Sequence, residues 1–158
     1  MKVAFVTGSN KGIGRAIVEN LARTLGPSGE WDIYLTGMLS RDLPNVPIVA
    51  RNEELGKKTC SELEKKGLSV KFHQLDINNV ESRKKFIEFL TSHYPNGINI
   101  AINNAGIIFK SDSTASFGEQ ARVTLKTNFF DTLSFTEEFM PYLAKDARLV
   151  HFIYIYME

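Results

Sequence analysis

The chain has 158 residues, a formal net charge of +1 and one cysteine, Cys60. The length suits one domain with a buried core, the near-neutral charge argues against nucleic acid or an anionic membrane as a partner, and a lone cysteine excludes an internal disulfide and fits a reducing compartment. Because the first predicted strand begins at residue 2 and no apolar stretch is long enough to span a bilayer, we expect no targeting segment, no membrane span and a cytoplasmic location.

Short apolar segments alternate with segments of helical period, which is typical of a parallel α/β sheet. The predicted strands cover residues 2–7, 31–36, 69–75, 98–102 and 148–156, and the predicted helices cover about 13–25, 52–66, 80–93 and 117–143. The first helix is expected to bury the apolar residues at four-residue steps, which are Ile13, Ile17, Leu21 and Leu25. We therefore predict an α/β fold with a doubly wound, Rossmann-type parallel sheet of about five strands.

Residues 37–49 interrupt this alternation, at a place where a loop of only a few residues is expected. Pro44 and Pro47 exclude a regular helix there. We interpret the stretch as a surface insertion in a single domain that spans residues 1–158. It is either a harmless long loop or a disturbance of the site beside it.

The turn after the first strand carries the strongest functional signal. It reads T-G-S-N-K-G-I-G from Thr7 to Gly14, between an apolar strand and an amphipathic helix. Gly8 permits the turn, Gly12 allows a ligand close to the backbone, and Gly14 allows the helix to pack close to the sheet. This arrangement favours a diphosphate bound to backbone N–H groups at a helix N-terminus. The alternative is a tight strand–helix turn without a ligand.

Other candidate residues lie at the ends of the neighbouring strands. Strand two ends at Thr36, and no carboxylate stands there to bind the ribose 2′-hydroxyl of a dinucleotide. This favours a dinucleotide that carries a 2′-phosphate, which Lys11 or Arg51 would hold. The alternative for both is a solvated surface cation, and Arg41 replaces Arg51 if the insertion displaces the second helix.

Strand three ends at Asp76, followed by Ile77, which together suit an adenine ring. The alternative for Asp76 is a cap of the third helix, a role that Asn78 or Asn79 can also fill.

Strand four ends in N-N-A-G, residues 103–106, where a ligand can lie flat against the backbone; the alternative is an ordinary strand-to-loop turn. Asn128 stands inside the last predicted helix between apolar residues, which indicates a buried polar role.

This set of motifs resembles the short-chain dehydrogenase/reductase family, and within it the NADPH-dependent carbonyl reductases, over nearly the whole chain apart from residues 37–49 and the last few residues. The resemblance implies a sheet in the strand order 3-2-1-4-5 that is incomplete after strand five. It also implies NADPH as cofactor and small carbonyl compounds as substrates. It implies that the cofactor contacts Gly8, Asn10, Lys11, Gly12, Ile13, Gly14, Arg51, Asp76, Ile77, Asn104, Ala105 and Gly106. It places Phe109, Lys110 and Gln120 on the substrate side and makes Asn128 the asparagine that holds a water in the family's proton relay.

The resemblance fails at the reaction centre. The family needs a Ser after strand five and a Tyr with a Lys four residues later, since a positive neighbour must lower the high pKa of the tyrosine. Each of the five tyrosines lacks that lysine, and Tyr154 stands at the expected serine position. We therefore expect cofactor binding without turnover.

Two further readings remain open. In the first, the chain is a non-catalytic module that binds NADPH, or that pairs with a partner or a second copy through the apolar fifth strand. In the second, that exposed strand makes the chain aggregate. Cys60 is interpreted as a surface or semi-buried thiol and His151 as a core-facing or edge residue. We predict no metal site.

Overall fold

The computed structural model describes residues 1–37 and 52–153, and within them five strands form one parallel sheet in the order β3-β2-β1-β4-β5. The strands are β1 Lys2–Val6, β2 Trp31–Gly37, β3 Lys71–Gln74, β4 Ile98–Asn103 and β5 Leu143–His151. The helices are α1 Gly12–Leu25, α2 Asn52–Glu64, α3 Val80–His93, α4 Phe117–Leu125 and α5 Thr132–Phe139. The predicted doubly wound fold and strand order are confirmed.

Alternate residues of the central strands point into two separate cores. On one face, Val6 and Leu35 pack with residues of α1 and α2 such as Val18 and Leu63. On the other face, neighbouring strand residues pack with aromatic residues of α3 and α5. The central strands are therefore buried on both faces, as parallel sheets require.

Phe5 is the centre of the second core. Its ring meets Phe86 of α3 edge-on at 5.2 Å and Phe139 of α5 edge-on at 5.4 Å, and it lies 6.0 Å from Phe135. All four rings are fully buried. Edge-to-face packing of this kind adds to the free energy of burial, so this cluster fixes α3 and α5 against β1.

The predicted buried face of α1 is wrong by one position. The buried residues are Gly14, Val18 and Ala22, whereas Ile13 is 57% exposed. Ile17, Leu21 and Leu25 are partly buried at the margin of the core. Small and β-branched residues face the sheet because the helix begins in close contact with it, and this displaces the larger residues to the side.

The predicted helix over 117–143 is interrupted. A π-helical turn, Lys126–Asp131, joins α4 to α5, and a 3₁₀ turn, Met140–Tyr142, ends the helical region. Pro141 lies in that last turn and cannot donate a backbone hydrogen bond. Asn128 lies in the π-helical turn, where a local change in backbone geometry repositions side chains.

Strand β5 begins at Leu143, five residues before the predicted start. Ile98 pairs with Leu143 but Ile100 pairs with Arg148, so the register shifts between the two pairs. An edge strand tolerates such an irregularity. The polar residues of this segment do not follow the apolar pattern that predicts a strand. Residues 38–51 and 154–158 lie outside the described residues, and with them Arg41, Arg51, Tyr154 and most of the predicted insertion.

The aromatic core gives a test of the fold. Phe135→Ala should lower the free energy of unfolding by about 3–5 kcal/mol, because it opens a cavity among three rings. Phe117→Ala is the matched control, since that ring is 87% exposed, and it should change the value by less than about 0.5 kcal/mol. Urea denaturation followed by far-UV circular dichroism measures both, and equal losses would contradict the packing described.

Candidate functional site

The turn between β1 and α1 lies at the carboxyl end of the sheet, where ligands bind in open α/β folds. Gly8 has φ +62° and Gly12 has φ +57°, a backbone conformation that other residues adopt only with strain. A Cβ on Gly8 would lie 2.8 Å from Ala105 Cα, whereas a Cβ on Gly12 would meet no atom within 4 Å. Gly8 therefore serves close packing against the end of β4, and Gly12 faces open space.

Four hydrogen bonds fasten this turn to the end of β4. The Thr7 hydroxyl oxygen accepts from the backbone N–H groups of Asn104 and Ala105, both at 2.9 Å. The Asn104 side-chain amide in turn donates to the carbonyl oxygens of Thr7 at 2.9 Å and Gly8 at 3.2 Å. Thr7 and Asn104 are both buried. We call this set of bonds the Thr7–Asn104 latch.

Gly14 is part of the same contact. A Cβ built on Gly14 would overlap the Asn104 side-chain nitrogen and lie 2.7 Å from Gly8 O. The first turn of α1 can approach the latch only because residue 14 has no side chain. This agrees with the role that the sequence predicts for Gly14.

Sequence reasoning missed a second attachment of the turn. The buried Ser9 donates its N–H to Thr36 O at 2.8 Å, and its hydroxyl oxygen accepts from Thr36 N–H at 2.9 Å. The Thr59 hydroxyl of α2 donates to Asn10 O at 3.1 Å. Asn10 itself is buried against Gly37. The sequence feature that could have revealed these contacts is the presence of hydroxyl residues beside glycines in a turn, because such side chains form hydrogen bonds with nearby backbone groups.

The N-terminus of α1 has no side-chain cap. Lys11 occupies the cap position with extended backbone and makes no capping hydrogen bond, and the first turn has no acidic residue. By contrast, Asn79 caps α3 by accepting from Ser82 N–H, and Ser116 caps α4 by accepting from Glu119 N–H. The first N–H groups of α1 are thus available to an anion, with the exposed Lys11 beside them.

At the end of β3, Asp76 is buried and organises a turn. Its Oδ1 accepts from Asn78 N–H at 2.9 Å, and its N–H donates to the Ser82 hydroxyl oxygen at 2.9 Å. Asn79, one of the alternatives left open by the sequence, caps α3. The Ile77 side chain is buried with the aromatic core.

Asn128 holds the loop that follows β4. Its side-chain oxygen accepts from Ile107 N–H at 2.8 Å, and its side-chain nitrogen donates to Ile107 O at 2.9 Å. The exposed Gly106 precedes this anchored residue. The sequence context predicted a buried polar role for Asn128; the side chain has the polar role but is only half-buried.

The residues predicted for the substrate side lie on the loop after β4 and on α4. Phe109 is half-buried and Lys110 is exposed. Gln120 donates its side-chain N–H to Ala115 O at 2.8 Å, which fixes the start of α4.

Asn103 is a buried polar residue that sequence reasoning did not single out individually. Its side-chain nitrogen donates to the Thr136 hydroxyl oxygen at 2.8 Å and lies 3.3 Å from Nδ1 of the exposed His151. Its Oδ1 has no hydrogen-bond partner among the described residues. Asn103 therefore ties the ends of β4 and β5 to α5, and His151 is an edge residue.

Other candidate chemistry is weak within the described ranges 1–37 and 52–153. Burial raises the pKa of the Cys60 thiol to about 11, so at neutral pH the residue is a thiol and not a nucleophilic thiolate. The described histidines, cysteine and acidic residues form no cluster of three that could hold a metal. Among the same residues, no helix combines the length and the hydropathy that a membrane crossing requires.

Comparison with known proteins identifies relatives for this arrangement. A family model described as short chain dehydrogenase matches residues 36–151. Carbonyl reductase (NADPH) 3 of Rattus norvegicus is 42% identical over 150 residues, which is 95% of this chain and 48% of that protein. Carbonyl reductase (NADPH) 1 of the same species is 40% identical over 149 residues, with 94% and 47% covered.

Solved structures share the fold. An alcohol dehydrogenase from Thermococcus sibiricus, complexed with 5-hydroxy-NADP, has a TM-score of 0.69 at 23% identity, with 96% of this chain and 57% of that chain covered. A carveol dehydrogenase from Mycobacterium avium, in complex with NAD, has a TM-score of 0.73 at 17% identity, with 95% and 53% covered. The chain spans about half the length of the curated relatives it matches.

The contact at Gly14 predicts a specific sensitivity. Gly14→Ala should lower the free energy of unfolding by about 1–3 kcal/mol, because the new methyl group forces Asn104 or the turn to move. Gly118→Ala in α4 is the matched control, because a Cβ there meets no atom within 4 Å. It should be neutral or stabilising by up to about 1 kcal/mol. Urea denaturation measures both variants, and equal effects would contradict the contact.

Proposed function

The chain belongs to the short-chain dehydrogenase family, and we propose that it is the NADPH-binding portion of a carbonyl reductase of that family, in a cytoplasmic protein. The observation that carries the proposal is the open N-terminus of α1. The uncapped N–H groups at the start of α1, Gly8 and Gly12 with positive φ, and the exposed Lys11 form one positively polarised surface at the β1–α1 turn. A diphosphate supplies the negative charge that such a surface lacks.

The residues around the turn fit a dinucleotide. The exposed Ile13 lies at the start of α1, on the solvent side of the helix, where a diphosphate would lie against it. Gly12 leaves open space where a side chain would otherwise stand. Asn104, Ala105 and Gly106 follow β4, the strand next to β1, so the nicotinamide half of the cofactor would lie along them.

The adenine half is assigned to the end of β3, with Asp76 and Ile77. The side chain of Ile77 lies in the core. Ile77 would therefore contact the adenine ring with its backbone and with the edge of that side chain. Lys11 and Arg51 are assigned to the 2′-phosphate, and Arg51 lies outside the described residues. A guanidinium binds phosphate through two parallel hydrogen bonds.

The bound cofactor would supply a hydride for a carbonyl carbon, and a protein group must then supply a proton to the carbonyl oxygen. Asn128 stabilises the loop on the substrate side through Ile107. No tyrosine of the 158 residues has a lysine four positions later, so none has the cation that lowers its pKa toward neutrality on the same helical face. We propose that this chain alone binds NADPH without reducing carbonyl compounds.

A second candidate function is a protein-pairing module. Strand β5 lies at the edge of the described sheet, and Val150, Phe152 and Ile153 are 42%, 41% and 80% exposed. An open edge with apolar side chains favours pairing with another polypeptide. This candidate is compatible with NADPH binding, because β5 and the β1–α1 turn are separate surfaces.

Titration of the purified chain with NADPH, followed by nucleotide fluorescence, tests the proposed site. Gly12→Ala should weaken binding at least about tenfold, because its Cβ would enter the space proposed for the diphosphate. Gly29→Ala is the matched control: Gly29 has φ +69° and equally open surroundings but lies in a distant turn. Both variants carry similar backbone strain, so only Gly12→Ala should change the affinity.

A folded chain that ignores NADPH, or equal losses of affinity in the two variants, would contradict the proposed site. Carbonyl reduction by the isolated wild-type chain would contradict the proposed absence of turnover.

The cofactor preference gives a separate prediction. Arg51→Ala should weaken NADPH binding by about 1.5–3 kcal/mol, the contribution of a hydrogen bond to a charged group, and should leave NADH binding nearly unchanged. Arg41→Ala is the control, and a larger loss there would assign the 2′-phosphate to Arg41. Equal losses for NADPH and NADH in Arg51→Ala would refute the role of Arg51.

A further inference from the structure

Asn78 lies in the turn between β3 and α3, and its side chain reaches a distant part of the chain. The side-chain amide donates one N–H to the hydroxyl oxygen of the buried Thr127 at 3.1 Å and the other to a carboxylate oxygen of Asp131. Thr127 and Asp131 both belong to the π-helical turn. The half-buried Asn78 therefore bridges the β3–α3 turn to the π-helical turn.

The carboxylate of Asp131 depends on this bridge. Its side chain is 14% exposed, and a carboxylate withdrawn from water must be held by hydrogen-bond donors or by a cation. The oxygen that accepts from Asn78 also pairs with the exposed Lys126. The lysine supplies the opposite charge, and Asn78 supplies a donor from a different element of the fold.

The β3–α3 turn is fastened to α5 at a second point. The guanidinium of the buried Arg83 donates to Ile77 O at 2.7 Å and to the two carboxylate oxygens of Glu138 at 2.7 and 2.9 Å. Two parallel bonds of this kind fix the direction of both partners as well as their distance. The bridge from Asn78 therefore starts beside a residue whose backbone is itself held in place.

The π-helical turn carries a residue that the proposed site needs. Asn128, which anchors Ile107 through two hydrogen bonds, lies inside the segment that Asn78 bridges. π-Helical geometry is rare, and an unusual backbone conformation persists where the surrounding contacts hold it. The Thr132 hydroxyl supports the turn locally by donating to Thr127 O at 3.0 Å. Asn78 adds support from outside the α4–α5 region.

These bonds form a path between the two ends of the proposed nucleotide site. The path begins where a side-chain oxygen of Asp76 accepts from the N–H of Asn78 at 2.9 Å. It passes through the Asn78 side chain to the π-helical turn, and then through Asn128 to Ile107 on the loop after β4. The first end is assigned to adenine, and the last directly follows Gly106, which is assigned to the nicotinamide half.

We propose that Asn78 is a positioning residue that holds the loop after β4 in its place relative to the adenine end of the nucleotide site. This inference rests on the proposed function and adds to it a residue that is assigned no contact with the nucleotide. Asn78 acts by holding the π-helical turn, and with it Asn128, against the β3–α3 turn. A nucleotide that contacts both ends at once binds more tightly when the two ends are already in place.

The neighbouring Asn79 offers a matched comparison. Its side-chain oxygen accepts from Ser82 N–H at 3.0 Å and caps α3. This contact stays at the start of α3, whereas the contacts of Asn78 cross to the π-helical turn. Alanine at either position removes hydrogen bonds from the same turn, so the pair separates a local loss of stability from a loss of positioning.

Amide hydrogen exchange at Ile107, measured by NMR on the chain without ligand, tests the positioning. Asn78→Ala should speed exchange of the Ile107 N–H about tenfold, because its acceptor Asn128 loses support and the loop opens locally. Asn79→Ala lowers stability through the lost helix cap but should speed this exchange less than about twofold. Equal acceleration in both variants, or none in Asn78→Ala, would overturn the proposal.

An exchanged pair of residues tests the bridge itself. Asn78→Asp should break it, since two carboxylates would then face each other, and should speed exchange at Ile107 as Asn78→Ala does. Adding Asp131→Asn places one amide and one carboxylate opposite each other again and should slow the exchange. Exchange that stays fast in the double variant would contradict the assigned pairing.

Ligand binding separates this inference from the proposed function. The probes are 2′,5′-ADP, which contains the adenine end alone, and NADPH, each titrated by calorimetry. Asn78→Ala should weaken NADPH binding about tenfold and change the affinity for 2′,5′-ADP less than about twofold, and Asn79→Ala should leave the ratio of the two affinities unchanged. Wild-type affinity for NADPH in Asn78→Ala would overturn the inference. A folded wild-type chain that binds neither probe would contradict the proposed function, and exchange at Ile107 would still decide the role of Asn78.

Discussion

The hydrogen bonds between Thr7 and Asn104 are the interaction on which the candidate site depends. They join the end of β1 to the end of β4, and so they hold the two strand ends between which a doubly wound sheet reverses its direction. Because the same Asn104 nitrogen contacts the place where a Gly14 side chain would stand, the latch also sets how closely α1 approaches the sheet. The direction of the open helix N-terminus follows from this contact.

The fold and most of this turn were predictable because their signals are local. The alternation of apolar and helical segments predicted the parallel α/β sheet, and three glycines predicted the turn. The features that could not be predicted depend on tertiary contacts. Ser9 and Thr36 form hydrogen bonds with each other between the ends of two strands. Ile13 was predicted to be buried, but the buried face of α1 is shifted by one residue and leaves it exposed. The early start of β5 was hidden for a similar reason, since a register shift in an edge strand has no periodic signature.

The π-helical turn between α4 and α5 connects the candidate site to the outer surface. Asn128 points from this turn to Ile107 on the loop after β4, whereas the side chain of the adjacent Phe129 is exposed. One short segment thus anchors the loop after β4 and presents an aromatic ring at the surface. A regular α-helix would point these two neighbouring side chains in different relative directions. The residues around Asn128 contain no sequence signal that predicts a π-helical turn.

The Asn104 amide also makes the site sensitive to the exchange of a single atom. Both of its N–H bonds point to carbonyl oxygens, so an aspartate of almost the same shape would replace two attractive contacts with repulsion between oxygens. An aspartate at this one position would therefore disrupt the turn while the aromatic core around Phe5 kept the protein folded. Such a chain would look native by its secondary structure and would bind its nucleotide poorly.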